Sequence, residues 1–476
     1  MAQHCGHGKN VVTDQDLGSN NCALHARHGT VRRTKQTISQ LLGRDAIDTS
    51  DSGPAPDGGI RATEHQVLCS HFVVMNTWGF ANSFGAFQAY FVETLGRKPF
   101  DISWIGSMQV FLLFFLGTFT GRLTDGGYFR PLLLLGTAST LVGLFASSFC
   151  CRYWQFFLAL GVTVGIGNGC LFCPMLTVLS TYFDKRRATA IGIAACGSAT
   201  GGLIYPTVVR QLLPSLGFPW LMRIIGFIQL VLLIMVNIWL RPRIAPRRPG
   251  PLLDWMALKE TSYYLPCTSQ RNRNPPPNFI SHLQCLLSLY FSLFFVASFS
   301  RTDVNPAFSY AQSLNLLLLL NGIGIIGRLG LNCLADRVGT INLFIPVAAC
   351  TSILLFCWPA VHDVSGIYAW TGVCGVATGG LQSLFPAALS SLTLDMSKLG
   401  IRMGMVFSVV SFASLVGPPV GGQLISMMNG KYLAAQLFAG SSMLLCTAFL
   451  IAARHVSLRV QKLGNGNRSE VSPPSR

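Results

Sequence analysis

The run Tyr182 to Gly202, YFDKRRATAIGIAACGSATGG, places three consecutive cations, Lys185, Arg186 and Arg187, between two long apolar stretches. Half of the 476 residues are hydrophobic and only 11% are charged, with a mean hydropathy of +0.47. A soluble domain carries about a quarter charged residues, so the chain reads as an integral membrane protein. A crossing needs about 20 predominantly apolar residues. Twelve stretches qualify, at 67–92, 103–123, 131–150, 154–181, 188–213, 221–240, 279–299, 312–334, 341–361, 366–392, 403–428 and 432–453. The cation cluster then falls in the short loop between the fourth and fifth.

That position orients the molecule. Lys and Arg collect in short cytoplasmic loops. With the N-terminus inside, the cytoplasmic loops hold Arg130, the 185–187 cluster, Arg241, Arg243, Arg247, Arg248, Arg337, Lys398 and Arg402, whereas the opposite loops hold Arg97, Lys98, Arg152 and Arg301. Both termini are expected in the cytosol. The net charge of +17 follows from these loops and the tails, and a nucleic-acid partner is not expected. The organisation expected is a disordered cytosolic tail over 1–60, six spans over 61–240, an Arg- and Pro-rich cytosolic linker over 241–278, six spans over 279–454 and a cytosolic tail over 455–476. Residues 1–60 contain no apolar signal segment. The sequon Asn467-Arg468-Ser469 lies on the cytosolic side and should stay unglycosylated. The fifteen Cys have no metal or disulfide spacing, and Cys5, His7, Cys22, His25 and His28 read as part of a polar tail rather than a zinc site.

The halves repeat. Pro174 follows GIGNGCLFC and Pro386 follows GVATGGLQSLF, an offset of 386 − 174 = 212. Pro206 and Pro418 give 418 − 206 = 212, and the loop acids Asp125 and Asp336 give 336 − 125 = 211. Two six-span halves related by such a repeat are a transporter plan, with substrate held between them near the membrane midplane. Gly117-x3-Gly121, Gly197-x3-Gly201, Gly375-x3-Gly379 and Gly417-x3-Gly421 allow close helix packing. Pro174, Pro206, Pro386, Pro418 and Pro419 are expected to kink or break their helices. Residues 322–327 match GxGxxG but lie inside an apolar span, where no dinucleotide fold can form.

These residues resemble the monocarboxylate-transporter family of the major facilitator superfamily, in its fungal branch. The resemblance rests on the Tyr182–Ser198 run, on Asp57-Gly58-Gly59, on Gly121-Arg122-Leu123-Thr124-Asp125 and its counterpart Leu334 to Gly339, on Arg402-Met403-Gly404 and on Gly417-Pro418-Pro419. It covers about residues 55–455. It implies an all-α membrane protein of 12 transmembrane helices in two six-helix repeats, the major facilitator fold. It also implies alternating access to a small organic acid, without cofactor or metal. Two departures stand out. Animal members carry a Lys in span 1, and none occurs here between Lys35 and Lys98. They also place an Asp one turn before the span 8 Arg, where this chain has Gly324. Simple proton–lactate symport is therefore not the expectation, and a different or larger substrate is.

Arg328 is the leading site residue. A charge inside a span is expensive and faces a cavity or a partner; the resemblance implies a substrate carboxylate, and the alternative is an acid at the cytoplasmic end. Asn82, Gln88, Asn168, Tyr205, Asn321 and Gln382, with Gln109, are further candidates for the cavity wall, each of which read alone is a helix–helix hydrogen bond. Gly121, Arg122, Asp125, Lys185, Arg186, Arg187, Asp336, Arg337 and Arg402 form the loop motifs, where Asp125 can pair with a loop cation or a helix N-terminus. Phe84, Phe87 and Phe91 read as packing. Pro266 to Gln284 is polar and Pro-rich, either an insertion or intron-derived sequence, and leaves a weakened seventh span. The function expected is secondary transport of a small organic acid or related metabolite, with protons as a candidate partner. The alternative is efflux of a fungal secondary metabolite, or a riboflavin-like vitamin carrier. A membrane enzyme is not expected, for want of a nucleophile elbow or metal motif. Nor does any G-x4-G-K-[ST] occur, so the drive is a gradient. The protein is expected to be a monomer in the bilayer of the plasma membrane, with the vacuolar membrane second.

Overall fold

The computed structural model describes residues 61–97, 99–243, 279–391 and 399–469. The Cys/His set of the N-terminal tail, Asp57-Gly58-Gly59, and all of the linker past Arg243 lie outside the described residues. Within them the chain is almost wholly helical, and ten helices are long and apolar enough to cross a membrane. The difference from twelve has two causes. The first span is interrupted: Arg61–Val74 passes into a π-helical turn at Met75–Gly79, then Phe80–Asn82 and Phe84–Leu95. The fifth and sixth are continuous in hydrogen bonding over Arg187–Trp239, 53 residues that would make a rod of about 80 Å were it not broken at Gly217 (φ 72°, ψ 170°). That left-handed backbone suits Gly alone, and the chain turns back there.

The other spans lie close to their expected positions, at Pro99–Phe115 with Gly117–Asp125, Phe129–Ser147, Tyr153–Tyr182, Phe279–Thr302, Tyr310–Val338, Thr340–Cys357, Val364–Ser391, Leu399–Met427 and Leu433–Ser469. One expectation is corrected and two are refined. Span 7 is not short: its 24 residues extend about 36 Å, and His282 is buried against the rings of Phe344 and Phe385 (5.8 and 4.9 Å) instead of facing lipid. The last helix continues to Ser469, past the expected end at 453. None of Pro174, Pro206, Pro386, Pro418 and Pro419 ends its helix; the break comes at Gly217. Proline is tolerated within spans because neighbouring helices satisfy the freed backbone groups.

Spans of the two halves cross in two equivalent seams. Spans 2 and 11 meet backbone to backbone, where a Cβ added to Gly121 would strike the carbonyl of Gly400 and one on Gly404 the carbonyl of Gly117. Thr118 donates to Ser408 Oγ in the same seam (2.7 Å). Spans 5 and 8 meet at Gly192 against Arg328 and Asn332, and at Gly202 against Asn321. At the far face, Asp363 begins span 10, accepting from the Ser365 hydroxyl and from the Gly366 N–H (2.9 Å). These hydrogen bonds hold its carboxyl below the ordinary value of 3.8. A depressed folded value means stability that is present at neutral pH and is lost as pH falls through that value. Asp363→Asn should therefore flatten the acid limb of a thermal-melt series between pH 6 and pH 3; an unchanged limb would exclude a role for this cap.

Candidate functional site

Four elements of the first half (spans 1, 2, 4 and 5) and three of the second (spans 7, 10 and 11) line a central cavity of about 50 Å3. Its wall is aromatic: Trp78, Phe114, Phe172, Tyr290, Phe385 and Phe407. Trp78 is brought there by the π-helical turn, the kind of distortion found at functional sites. The turn is held from span 5, where Tyr205 Oη donates to Asn76 Oδ1 (2.8 Å) and where a Cβ on Gly79 would come within 2.5 Å of the Gly201 Cα. Phe114, Phe172 and Tyr290 then surround Trp78 at ring distances of 5.1, 5.6 and 6.2 Å.

Gln382 is the polar side chain that connects this wall to a charge. Its Oε1 accepts from Arg328 Nη2 at 2.7 Å. Arg328 is 2% exposed, and its Nε and Nη1 have no hydrogen-bond partner. Among the described residues no carboxylate pairs with it; Asp336, the acid that could have done so, is engaged elsewhere. Gly324 matters here, because a Cβ at that position would lie 2.6 Å from Arg328 Nη1. The absence of a side chain is what leaves the guanidinium room. A buried guanidinium with two open donors, separated from an aromatic chamber by one amide, is equipped to receive an anionic group.

The remaining amide candidates do not line the chamber. Gln88 donates to Ser103 Oγ (3.2 Å). Tyr205 serves Asn76, and Asn321 donates back to the Leu317 carbonyl (3.0 Å). Asn168 is fully buried with both amide atoms unpartnered, as are both of Gln109 and the Nδ2 of Asn82. Phe84, Phe87 and Phe91 pack among Phe80, Phe156, Phe218 and Phe294. The aromatic wall itself was not singled out by the sequence; only the depth of these rings along their helices distinguishes them.

The loop motifs lie on the face that carries the cation cluster. Asp125 accepts from the N–H groups of Gly400 and Ile401 (3.2 and 2.9 Å), the first turn of span 11. Asp336 accepts from the N–H groups of Ala188 and Thr189 (3.0 and 2.8 Å) and from the Thr189 hydroxyl (2.6 Å), the first turn of span 5. The receiving residues differ by 400 − 188 = 212 and 401 − 189 = 212, the same spacing as the sequence repeat. Each carboxylate caps a helix of the opposite half, where the positive end of the helix dipole favours a negative charge. Arg187 adds a bond from Nη1 to the carbonyl of Ser390 at the end of span 10 (3.2 Å). Arg122, Arg337 and Arg402 flank these two latches, with Lys185 beside them in the cluster loop. Arg186 lines a second hollow on this face with Glu64, His71 and Thr189.

A sequence profile of the Major Facilitator Superfamily matches residues 67–363. An MFS-type transporter of Gibberella zeae is 45% identical over 405 residues, 85% of this chain and 89% of the relative. The Aspyridones efflux protein apdF of Emericella nidulans is 30% identical over 410 residues, 86% of this chain and 80% of the relative. These names speak of MFS-type transport and efflux, and the narrower monocarboxylate label is not among them. Among solved structures, the human organic anion transporter MFSD10 superposes with a TM-score of 0.62 at 15% identity, over 82% of this chain and 99% of that one, a likeness of fold.

Proposed function

The chain belongs to the Major Facilitator Superfamily and is a membrane transporter working by alternating access; from that premise we propose that it exports an organic anion of the fungal secondary-metabolite kind. The observation that carries the proposal is Arg328, buried at 2% exposure with two free donors behind Gln382 on the cavity wall. The efflux named for a relative supports export, and the resemblance of the span 4–5 run to monocarboxylate transporters is in keeping with an anionic cargo. By the positive-inside rule the latched face is cytoplasmic. The plasma membrane is the proposed location, since export from the cell needs it.

Protons supply the drive in this reading. Among the described residues every Asp and Glu lies near the end of a span. His71 lines the cytoplasmic hollow beside Glu64 and Arg186, and its Nδ1 lies 3.0 Å from the carbonyl of Ile193. A carbonyl only accepts, so Nδ1 carries the hydrogen in this contact.

The test is uptake and efflux in yeast lacking its own carriers. The panel comprises lactate, pyruvate, larger organic acids, aromatic acids and riboflavin, at acidic and neutral external pH, with Arg328→Gln beside the parent. Export of one or more acids, stopped by a protonophore and lost in Arg328→Gln, is the expected result. A correctly localised protein that moves riboflavin and no acid overturns the anion assignment.

A further inference from the structure

Trp78 and Tyr290 come from spans 1 and 7, one from each half, and both line the central cavity. Their rings are nearly parallel, with an interplanar angle of 12° and centroids 6.2 Å apart. Toward the face opposite the latches, the next pair across the same two spans is Phe84 and Phe294, at 6.4 Å. Tyr290 and Phe294 touch each other at 6.3 Å. The seam between spans 1 and 7 above the cavity is therefore closed by aromatic rings meeting across the halves.

We propose that the cargo is a planar aromatic anion that inserts between the faces of Trp78 and Tyr290, and that its insertion parts spans 1 and 7 toward the far face. The inference rests on the transporter reading above and narrows its cargo. A flat ring between two parallel faces needs about 7 Å, twice the carbon contact distance. The centroid separation of 6.2 Å is an upper limit on the spacing between the faces and already falls short of that, so entry of a ring must push the two helices apart. Phe84 and Phe294 sit on the same helices and separate with them. An aliphatic acid of equal charge reaches Arg328 but gains no stacking, and a saturated ring is too thick for the gap. Two stacked faces correspond to about 5-fold to 150-fold in affinity. Binding of the right cargo thus supplies the separation that releases it, because a ligand shifts a conformational equilibrium only by its differential affinity for the two states. The π-helical turn at Met75–Gly79 and the Gly79–Gly201 contact fix Trp78 against span 5, so the movement falls on span 7.

The experiment uses the purified full chain in lipid nanodiscs, titrated by calorimetry with 1-naphthoate, cyclohexanecarboxylate and 1-naphthalenemethanol. The expected result is 1-naphthoate binding at least about 5-fold tighter than cyclohexanecarboxylate, with the neutral alcohol weaker than the acid. Trp78→Phe and Tyr290→Phe should keep most of that preference, while Trp78→Leu and Tyr290→Leu should erase it. Equal affinities for the two acids overturn the aromatic class and leave the anion transporter intact. A preference that survives in both Leu variants overturns the stacking site. No binding of 1-naphthoate by a parent that exports other acids overturns the inference alone. Equal binding of acid and alcohol removes the role given to Arg328.

Discussion

Arg328→Met is expected to abolish transport of the anionic cargo while the purified protein melts at or above the temperature of the parent. The two halves of that expectation have separate causes. An Arg within a span costs about 2.5–3.5 kcal/mol on insertion scales, and each buried donor without a partner adds about 1–3 kcal/mol. Arg328 bears both burdens, since its Nε and Nη1 are unpartnered and no acid pairs with it among the described residues. Met removes them and, being unbranched and adaptable, fills most of the space. The loss on the other side is one orphaned acceptor, Gln382 Oε1, which now receives Nη2. Arg328→Met with Gln382→Met removes that orphan as well and should melt higher than the single variant, because deleting both partners of a hydrogen bond is close to neutral. For transport, truncating one member of a buried charge pair costs roughly 2–5 kcal/mol, about 30-fold to several-thousand-fold in affinity. A residue kept for folding behaves the opposite way. A lowered melting temperature with anion transport retained would assign Arg328 to structure and withdraw it from the site.

How much of this could be read from the amino acids depends on whether a residue contrasts with its surroundings. Arg328 and the loop acids are charges in an apolar chain, so their positions show at any helix rotation. Asp125 and Asp336 also repeat within one residue of the spacing of the prolines, and each caps a helix of the opposite half. The chamber wall offers no such contrast. With 32 Phe, 8 Trp and 11 Tyr in the chain, nearly every span has rings to spare. A lipid-facing side is as apolar as a packed one, so the 3.6-residue period that marks the buried face of a soluble helix is silent here. Trp78 is harder still to place, because the π-helical turn at Met75–Gly79 shifts the register after Val74. The amides divide: Gln382 stands on the chamber wall, whereas Gln88 donates to Ser103 and Asn321 to the Leu317 carbonyl, ordinary bonds for an amide in a span. Gly217 stands between Pro214 and Pro219, residues that by type are as apt to end a helix.

Gly121→Ala is expected to cut transport at least about fivefold by keeping the latched face from closing, although it adds only one methyl group. The added Cβ meets the carbonyl oxygen of Gly400, with its carbonyl carbon at 2.7 Å. Both atoms are backbone, so no side chain can swing aside and spans 2 and 11 must part. Parting them withdraws Asp125 from the N–H groups of Gly400 and Ile401, so steric and electrostatic effects act in the same direction. Overpacking of this kind costs about 1–3 kcal/mol, which moves a two-state equilibrium by about 5-fold to 150-fold away from the closed arrangement. Cys173 reports the change. It is fully buried on span 4, its Sγ 3.5 Å from the carbonyl of Gly117 in this seam, and it should become reactive to N-ethylmaleimide, scored by mass spectrometry at that site. Gly330→Ala is the matched control, since nothing lies within 4 Å of a Cβ there, and replacing a helical Gly by Ala is worth up to about 1 kcal/mol in helix propensity. Gly330→Ala should transport like the parent and melt slightly higher. Should Gly121→Ala also transport like the parent with Cys173 still protected, the seam between spans 2 and 11 is static packing, and closure of this face belongs to Asp336 and span 5 alone.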